Sequence, residues 1–210
     1  MPLRICARRI FADRNFGPKW SGLGRFDTLI LGPINEVDRR ESSVKRAPKT
    51  NALRIRRATV RDISLLVSLI RGLAKYERLT PNLQLSKERL RRHGFGRRRY
   101  FEALICERGK QVVGYAIYYF AYSSFTCRPV LFIEDIFVLP EERGKGAGNA
   151  LMMALARAAV KQGCGQMEWI VLDWNTPSIK FYERLGARLD KTWVLTRLTG
   201  AYLRRLARKR

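Results

Sequence analysis

The stretch VLFIEDIFVLPEERGKGAGNALMMALARAA, Val130–Ala159, decides how this chain is read. It opens as an apolar strand that carries two adjacent carboxylates, Glu134 and Asp135, and then passes through Arg-Gly-Lys-Gly-Ala-Gly, residues 143–148, into a helix of small and apolar residues. A Gly-rich turn between strand and helix gathers unpaired backbone N–H groups and the positive end of the helix dipole, about half an elementary charge, at one place. Such a place binds phosphate. Gly144, Gly146 and Gly148 let the backbone approach an anion with no Cβ in the way, and Arg143 and Lys145 add formal charge beside it. A flexible turn that merely caps a helix is the plain alternative. The spacing is not the G-x-x-x-x-G-K-[ST] of a P-loop, and it fails the G-x-G-x-x-G of a dinucleotide fold.

Outward from this stretch the punctuation is regular. LRIRRA from Leu53 alternates as a first strand, and Thr59 with Asp62 makes a capping box for a helix whose apolar positions are Ile63, Leu66, Val67, Ile70, Leu73 and Ala74. Ser86 caps a short second helix that stops at HGFG. YFEALICE and VVGYAIYYFAY flank RGKQ as a hairpin, followed by the loop SSFTCRP and the opening strand. The helix after the Gly-rich turn runs to about Lys161; QMEWIVLDW reads as a fifth strand, NTPSIKFYERLG as a helix closed by Gly186, and WVLTRL as a final strand. The order β-α-α-β-β-β-α-β-α-β predicts an α/β class fold, a mixed sheet of six to seven strands with helices on both faces.

Residues 1–51 differ: they are basic, rich in Gly and Pro, and lack sustained periodicity, so they read as a poorly ordered extension. Two readings of it stay open, a basic targeting segment, against which Asp13, Asp27, Glu36, Asp38 and Glu41 argue, and a start upstream of the true one. The domain itself is expected over residues 52–198, with 199–210 as a basic tail or helix. At 46% apolar content, 210 residues suit one core, and no run approaches the roughly 18 apolar residues of a membrane span. Cys6, Cys106, Cys127 and Cys164 show no metal spacing and the single histidine, His93, is expected in a loop beside glycines, so no metal is expected and the thiols read as reduced, in a cytoplasmic protein. The net charge of +24 invites a polyanion, nucleic acid included, but it fits a phosphate-bearing small cofactor equally.

ERGKGAG after EDIFVLP resembles the pyrophosphate-binding motif of the GNAT superfamily of acetyl-CoA-dependent N-acetyltransferases. LIRGLAKYE, HGFG, VVGYAIYYFAYS, IEDIFVLPEERGKGAG and VLDWNTPSIKFYERLGA together resemble its diamine acetyltransferase branch, the spermidine/spermine and thialysine enzymes, over about residues 53–190. The resemblance implies acetyl-CoA as co-substrate, a small-molecule amine as acceptor, direct attack in a ternary complex, and a homodimer. It places acetyl-CoA contacts on Ile136, Phe137 and Val138, on Arg143, Gly144, Lys145, Gly146, Ala147, Gly148 and Asn149, and on Asn175, Thr176, Pro177, Ser178 and Arg184. Tyr182 matches the tyrosine that protonates the departing thiolate; Tyr76 and Glu77 match positions that line the acceptor pocket, with Glu168 and Ile170 as weaker matches.

Glu134 is the candidate for the amine's proton, because a carboxylate among Phe132, Ile133, Ile136 and Phe137 should have raised proton affinity. Asp135 joins it in one pocket only if the strand is bulged there, since successive side chains on a regular strand face opposite sides. The alternative for the pair is edge-strand acids that discourage aggregation. Polyamine-acetylating relatives carry further acids that this chain lacks: Lys191 stands near one such place, and serines fill YSSFTCRP. A small amine with one or two charges is therefore expected in preference to spermine. Two other readings remain: a protein or ribosomal acceptor on the same fold, suggested by the charge and the tail LRRLARKR, and a basic nucleic-acid-binding module, which leaves the strand-Gly-helix block unexplained.

Overall fold

A strand forms only where another strand pairs with it, and the hairpin at the centre of the chain supplies two adjacent partners. In the computed structural model, which describes residues 52–209, five strands form one sheet in sequence order. These are β1 (Leu53–Arg57), β2 (Glu102–Arg108), β3 (Gln111–Ser123), β4 (Arg128–Val138) and β5 (Gln166–Trp169). β1 to β4 are antiparallel, and β5 joins β4 in parallel, so the sheet is mixed as expected. The helices are α1 (Ile63–Tyr76), α2 (Lys87–Phe95), α3 (Ala147–Lys161), α4 (Thr176–Arg184) and α5 (Gly200–Ala207). The described chain forms two units, one up to Ile170 and one from Val171.

Both faces of the sheet are covered. Ala103 and Ile105 of β2, Tyr115 and Ile117 of β3 and Phe137 of β4 cluster with Leu66 and Leu69 of α1. Their alternating neighbours Leu104, Cys106 and Ala116 are buried too, and α3, packed on β1 to β4, buries Leu151 and Leu155. Sequence-adjacent residues of a strand point to opposite faces, so α1 and α3 cover opposite sides.

The capping box forms, and it does more than cap. Asp62 Oδ2 accepts from Thr59 N at 2.7 Å and from Thr59 Oγ1 at 2.9 Å, while both of its oxygens take Arg56 guanidinium donors at 2.8 Å. Arg56 Nε also donates to Glu107 at 2.7 Å, which ties β1, β2 and the start of α1 together. This guanidinium holds the Asp62 carboxyl well below the usual carboxylate range. α2 runs through His93, whose ring meets Tyr100 edge-on at 5.2 Å; the expected loop placement is thus corrected to the last helical turn.

Two strand expectations are also corrected. The sheet has five strands among the described residues, not six or seven, because WVLTRL forms none. A strand exists only in a ladder, and Trp193, Val194, Leu195 and Leu198 stay exposed, Val194 at 82%. QMEWIVLDW shortens to Gln166–Trp169, because its pairing with β4 stops at Ile133, one residue before β4 becomes irregular. Residues 1–51, expected to form a poorly ordered extension, lie outside the described residues.

Candidate active site

β4 carries the bulge that the two acids required. Ile117 faces Asp135 and the next residue, Tyr118, faces Ile133, so Glu134 is the extra residue. Glu134 is exposed and Asp135 is largely buried. β5 accompanies β4 only over Val130–Ile133; from Glu134 to Val138 the edge turned away from β3 has no strand partner among the described residues. Of the three backbone contacts expected there, Ile136 and Val138 turn their polar groups away from β3, whereas those of Phe137 face Tyr115 in the ladder.

Burial falls on the other acid than the sequence suggested. Asp135 shares the α1 face with Tyr115, which is fully buried and donates its hydroxyl to Asp135 Oδ2 at 3.0 Å. Burial pushes the Asp135 carboxyl up to about 6; the charges of Glu134 and Glu77 act in the same direction, and the Tyr115 hydrogen bond opposes them. The Tyr115 phenol is raised well above its ordinary value, first by burial and then by the Asp135 charge, so it remains a donor. The property expected of Glu134, a carboxylate embedded among apolar groups, thus belongs to Asp135. A single inserted residue decides which acid turns inward, and the sequence does not announce the insertion.

Tyr76 and Glu77 stand at the C-terminal end of α1, where Glu77 N donates to Leu73 O and Arg78 leaves the helix at φ 60°. Burial raises the Glu77 carboxyl as well. The negative end of a helix, with the charges of Glu77 and Glu134 bearing on Asp135, makes a local field that favours a cation. Two carboxyls held above their usual range would recover that cost when an ammonium group arrives beside them.

The Gly-rich turn follows a helical turn at Pro140–Glu142. Gly144 at φ 73° and Gly146 at φ 88° adopt left-handed backbone, and α3 begins at Ala147 with no side-chain cap and no acid in its first turn. Such geometry leaves backbone N–H groups for an incoming anion. Glu142 braces the turn: its Oε2 accepts from Arg108 Nε at 2.8 Å, its Oε1 pairs with Lys145 Nζ at 3.3 Å, and Arg108 Nη2 donates to Lys145 O at 3.0 Å. Arg143 lays its guanidinium 4.3 Å above the Tyr76 ring and donates Nε to Val138 O at 3.2 Å. The two cations expected beside a phosphate are therefore engaged with the protein, and the exposed backbone of 143–146 is what the turn presents. Asn149, at the start of α3, donates to Met153 Sδ at 3.6 Å.

On β5, Glu168 lies opposite Phe132 and accepts from Gln166 at 2.6 Å, while Ile170, just beyond the strand, is 60% exposed. In the second unit, Asn175 is buried and caps α4, accepting from Ser178 N at 3.4 Å, and Thr176 and Pro177 form the first turn. Tyr182 is buried on α4 with the Phe181 ring 5.4 Å away; Arg184 is exposed. Sequence reasoning missed Tyr115, Arg108 and Glu142. Tyr115 could have been found by aligning the hairpin register, which sets it diagonal to Asp135; no local signal marks the Arg108–Glu142 pair, whose members lie far apart in sequence. Among the described residues no group of His, Cys, Asp and Glu side chains could hold a metal ion, and no helix is long and apolar enough to cross a membrane.

The family model described as "Acetyltransferase (GNAT) family" matches residues 70–187. A thialysine N-epsilon-acetyltransferase of Mus musculus is 39% identical over 166 residues, 73% of this chain and 96% of that protein. An L-ornithine N5-acetyltransferase of Arabidopsis thaliana is 47% identical over 89 residues, 42% of this chain and 39% of that protein. Among solved structures, an integron cassette protein of V. cholerae superposes with a TM-score of 0.64 at 25% identity, covering 75% of this chain and 98% of that one.

Proposed function

The chain belongs to the GNAT family of acetyltransferases, and on that premise we propose that it transfers the acetyl group of acetyl-CoA to a primary amine of a small molecule, a diamine, thialysine or another lysine-like compound. The observation that carries the reading is the pairing, within one unit, of an open Gly-rich turn at the start of α3 with a bulged strand whose two acids lie at the negative end of α1. An anion suits the first place and an ammonium the second. The identity to thialysine N-epsilon-acetyltransferases over nearly their whole length supports the choice of acceptor.

The reaction needs no acyl-enzyme. The amine nitrogen attacks the thioester carbonyl, the C–S bond breaks, the nitrogen gives up a proton and the thiolate takes one. Backbone N–H groups at 144–149 hold the diphosphate, and in this reading those of Ile136 and Val138 direct the thioester and donate to its oxygen as charge develops. Holding both reactants so removes several kcal/mol of barrier by orientation, about 7 or more in well-aligned cases. Glu134 receives the amine's proton, directly or through a water, and Asp135 with Glu77 and Tyr76 holds the cation; Glu168 and Ile170 border the same acceptor. Tyr182 supplies the thiolate's proton, while Asn175 to Ser178 and Arg184 complete the CoA contacts. Residues 52–198 make up the catalytic domain in this reading, and the protein acts as a cytoplasmic homodimer.

The test is CoA release with a panel of diamines, thialysine, lysine and ornithine, alongside calorimetry with CoA. Binding of CoA and turnover of at least one small amine is the expected result. Absence of CoA uptake would sink the whole reading, and turnover of peptides alone would move the acceptor to a protein.

A further inference from the structure

Tyr115 has no place in the mechanism above, yet it is the most deeply buried polar side chain near the acids. Its hydroxyl sits in the cluster formed by α1 and the centre of the sheet, at 0% exposure, among Leu66, Leu69, Ala103, Ile105, Ile117 and Phe137. A phenol placed there must find a partner for its O–H or lose a hydrogen bond. The partner is Asp135 Oδ2 at 3.0 Å. Phenylalanine would fill the same space with no such requirement, so packing alone does not account for the hydroxyl.

Resting on the acetyltransferase reading, we propose that Tyr115 is a positioning residue of the acceptor site: its hydroxyl pins one oxygen of Asp135, fixes the carboxylate plane, and leaves Oδ1 to receive the ammonium of the amine. The register explains why it can. Tyr115 lies opposite Phe137 and Ile117 opposite Asp135, so the phenol reaches Asp135 on the diagonal of the ladder, on the same face of the sheet. The bulge at Glu134 is what brings Asp135 onto that face. The pair is therefore a consequence of one inserted residue in β4 and one hydroxyl in β3.

The charges around Asp135 make the donor consequential. Glu134 beside it and Glu77 from the end of α1 both disfavour its ionised form, and burial disfavours it further. Against these stands the Tyr115 hydrogen bond, which favours the ionised form. The phenol's own proton is held tightly, so it donates throughout the working range and does not exchange roles with the acid.

Tyr115→Phe removes only the hydroxyl. The expected result is an acid limb of kcat/KM for the amine that moves to higher pH than in the parent, with KM for the amine raised about tenfold near neutrality, as for loss of a hydrogen bond to a charged group. Affinity for CoA should be unchanged, and activity should recover as the pH is raised past the shifted limb. A merely structural role would lower the rate at every pH and leave the limb in place. In an Asp135→Asn background, Tyr115→Phe should add nothing further; additive effects would refute action through Asp135. If the phenylalanine variant does not fold, 3-fluorotyrosine placed at position 115, a stronger donor of nearly the same shape, should move the limb to lower pH, and an unmoved limb refutes the proposal. A parent without amine-dependent CoA release would instead defeat the functional reading on which this rests.

Discussion

Asp135 answers to two opposed demands. Its folded value of about 6 lies above the ordinary carboxylate value of 3.8, so between these limits the folded chain keeps a proton that the unfolded chain has released. The stability tied to this group is fully present below the lower value and is lost as pH rises through the upper one. Asp135→Asn, which never ionises, is accordingly expected to be more stable than the parent at pH 8, by up to about 3 kcal/mol at roughly 1.4 kcal/mol per unit of pKa, and equal to it near pH 4. Urea denaturation at the two pH values measures this. The same variant should lose at least about tenfold in kcat/KM for the amine, the loss of a hydrogen-bonded charge at the acceptor. Tyr182→Phe belongs to the other half of the reaction: kcat should fall by about a hundredfold, as for a displaced general acid, while calorimetry finds CoA affinity unchanged. The two acids were legible in the sequence as a pair, and which of them is buried was not, because that depends on a one-residue insertion in the register.

At the level of elements, the anion site is a strand, a turn and a helix start, and the turn is the part with least tolerance. Gly146 precedes α3 at φ 88°, where an added Cβ would lie 3.6 Å from Leu53 Cδ1 and so would fit, but the backbone would cost an L-residue about 1–2 kcal/mol. Gly146→Ala is expected to weaken CoA at least about tenfold, because relaxing that strain re-aims the amides. Gly163→Ala, at φ 68° just past the other end of α3 with open space around it, carries a similar backbone cost and should leave CoA affinity unaltered. Calorimetry on the two variants separates the site from the strain. The corner at Asp62 makes a stability prediction of opposite pH sign to that of Asp135. Its depressed carboxyl contributes stability above the unfolded value of 3.8, and loses it as pH falls through the folded value. Asp62→Ala should therefore cost about 1–3 kcal/mol at pH 7, with the gap closing in strong acid. The capping box announced itself by spacing; Arg56, six residues before Asp62 at the end of β1, and its partner Glu107 on the neighbouring strand β2 did not.

The whole molecule is a strongly positive body, +24 overall, that keeps a small negative field around Glu77, Glu134 and Asp135. Long-range attraction favours a polyphosphate-bearing acyl donor and opposes a cationic acceptor, and both effects are screened within about 10 Å at 0.1 M salt. KM for acetyl-CoA is thus expected to rise with added salt, while KM for the amine falls or holds; steady-state kinetics from about 20 to 300 mM salt distinguish these trends. A parallel rise in both would show that the local acids, and not the overall charge, govern the acceptor.

Sequence alone determined what short-range chemistry can encode: strand alternation, the Thr59–Asp62 box, the Ser86 cap, and a Gly-rich turn before α3, each of which depends on residues a few positions apart. Tertiary structure alone decided the rest. It chose Asp135 over Glu134 for burial, gave that acid Tyr115 as a partner, turned Arg143 onto Tyr76, and left WVLTRL outside the sheet. The physical reason is that contacts between segments distant in the chain decide all four: three turn on pairing register and ladder partners, the fourth on a side chain meeting a ring from another element, and no local pattern reports where such contacts will close.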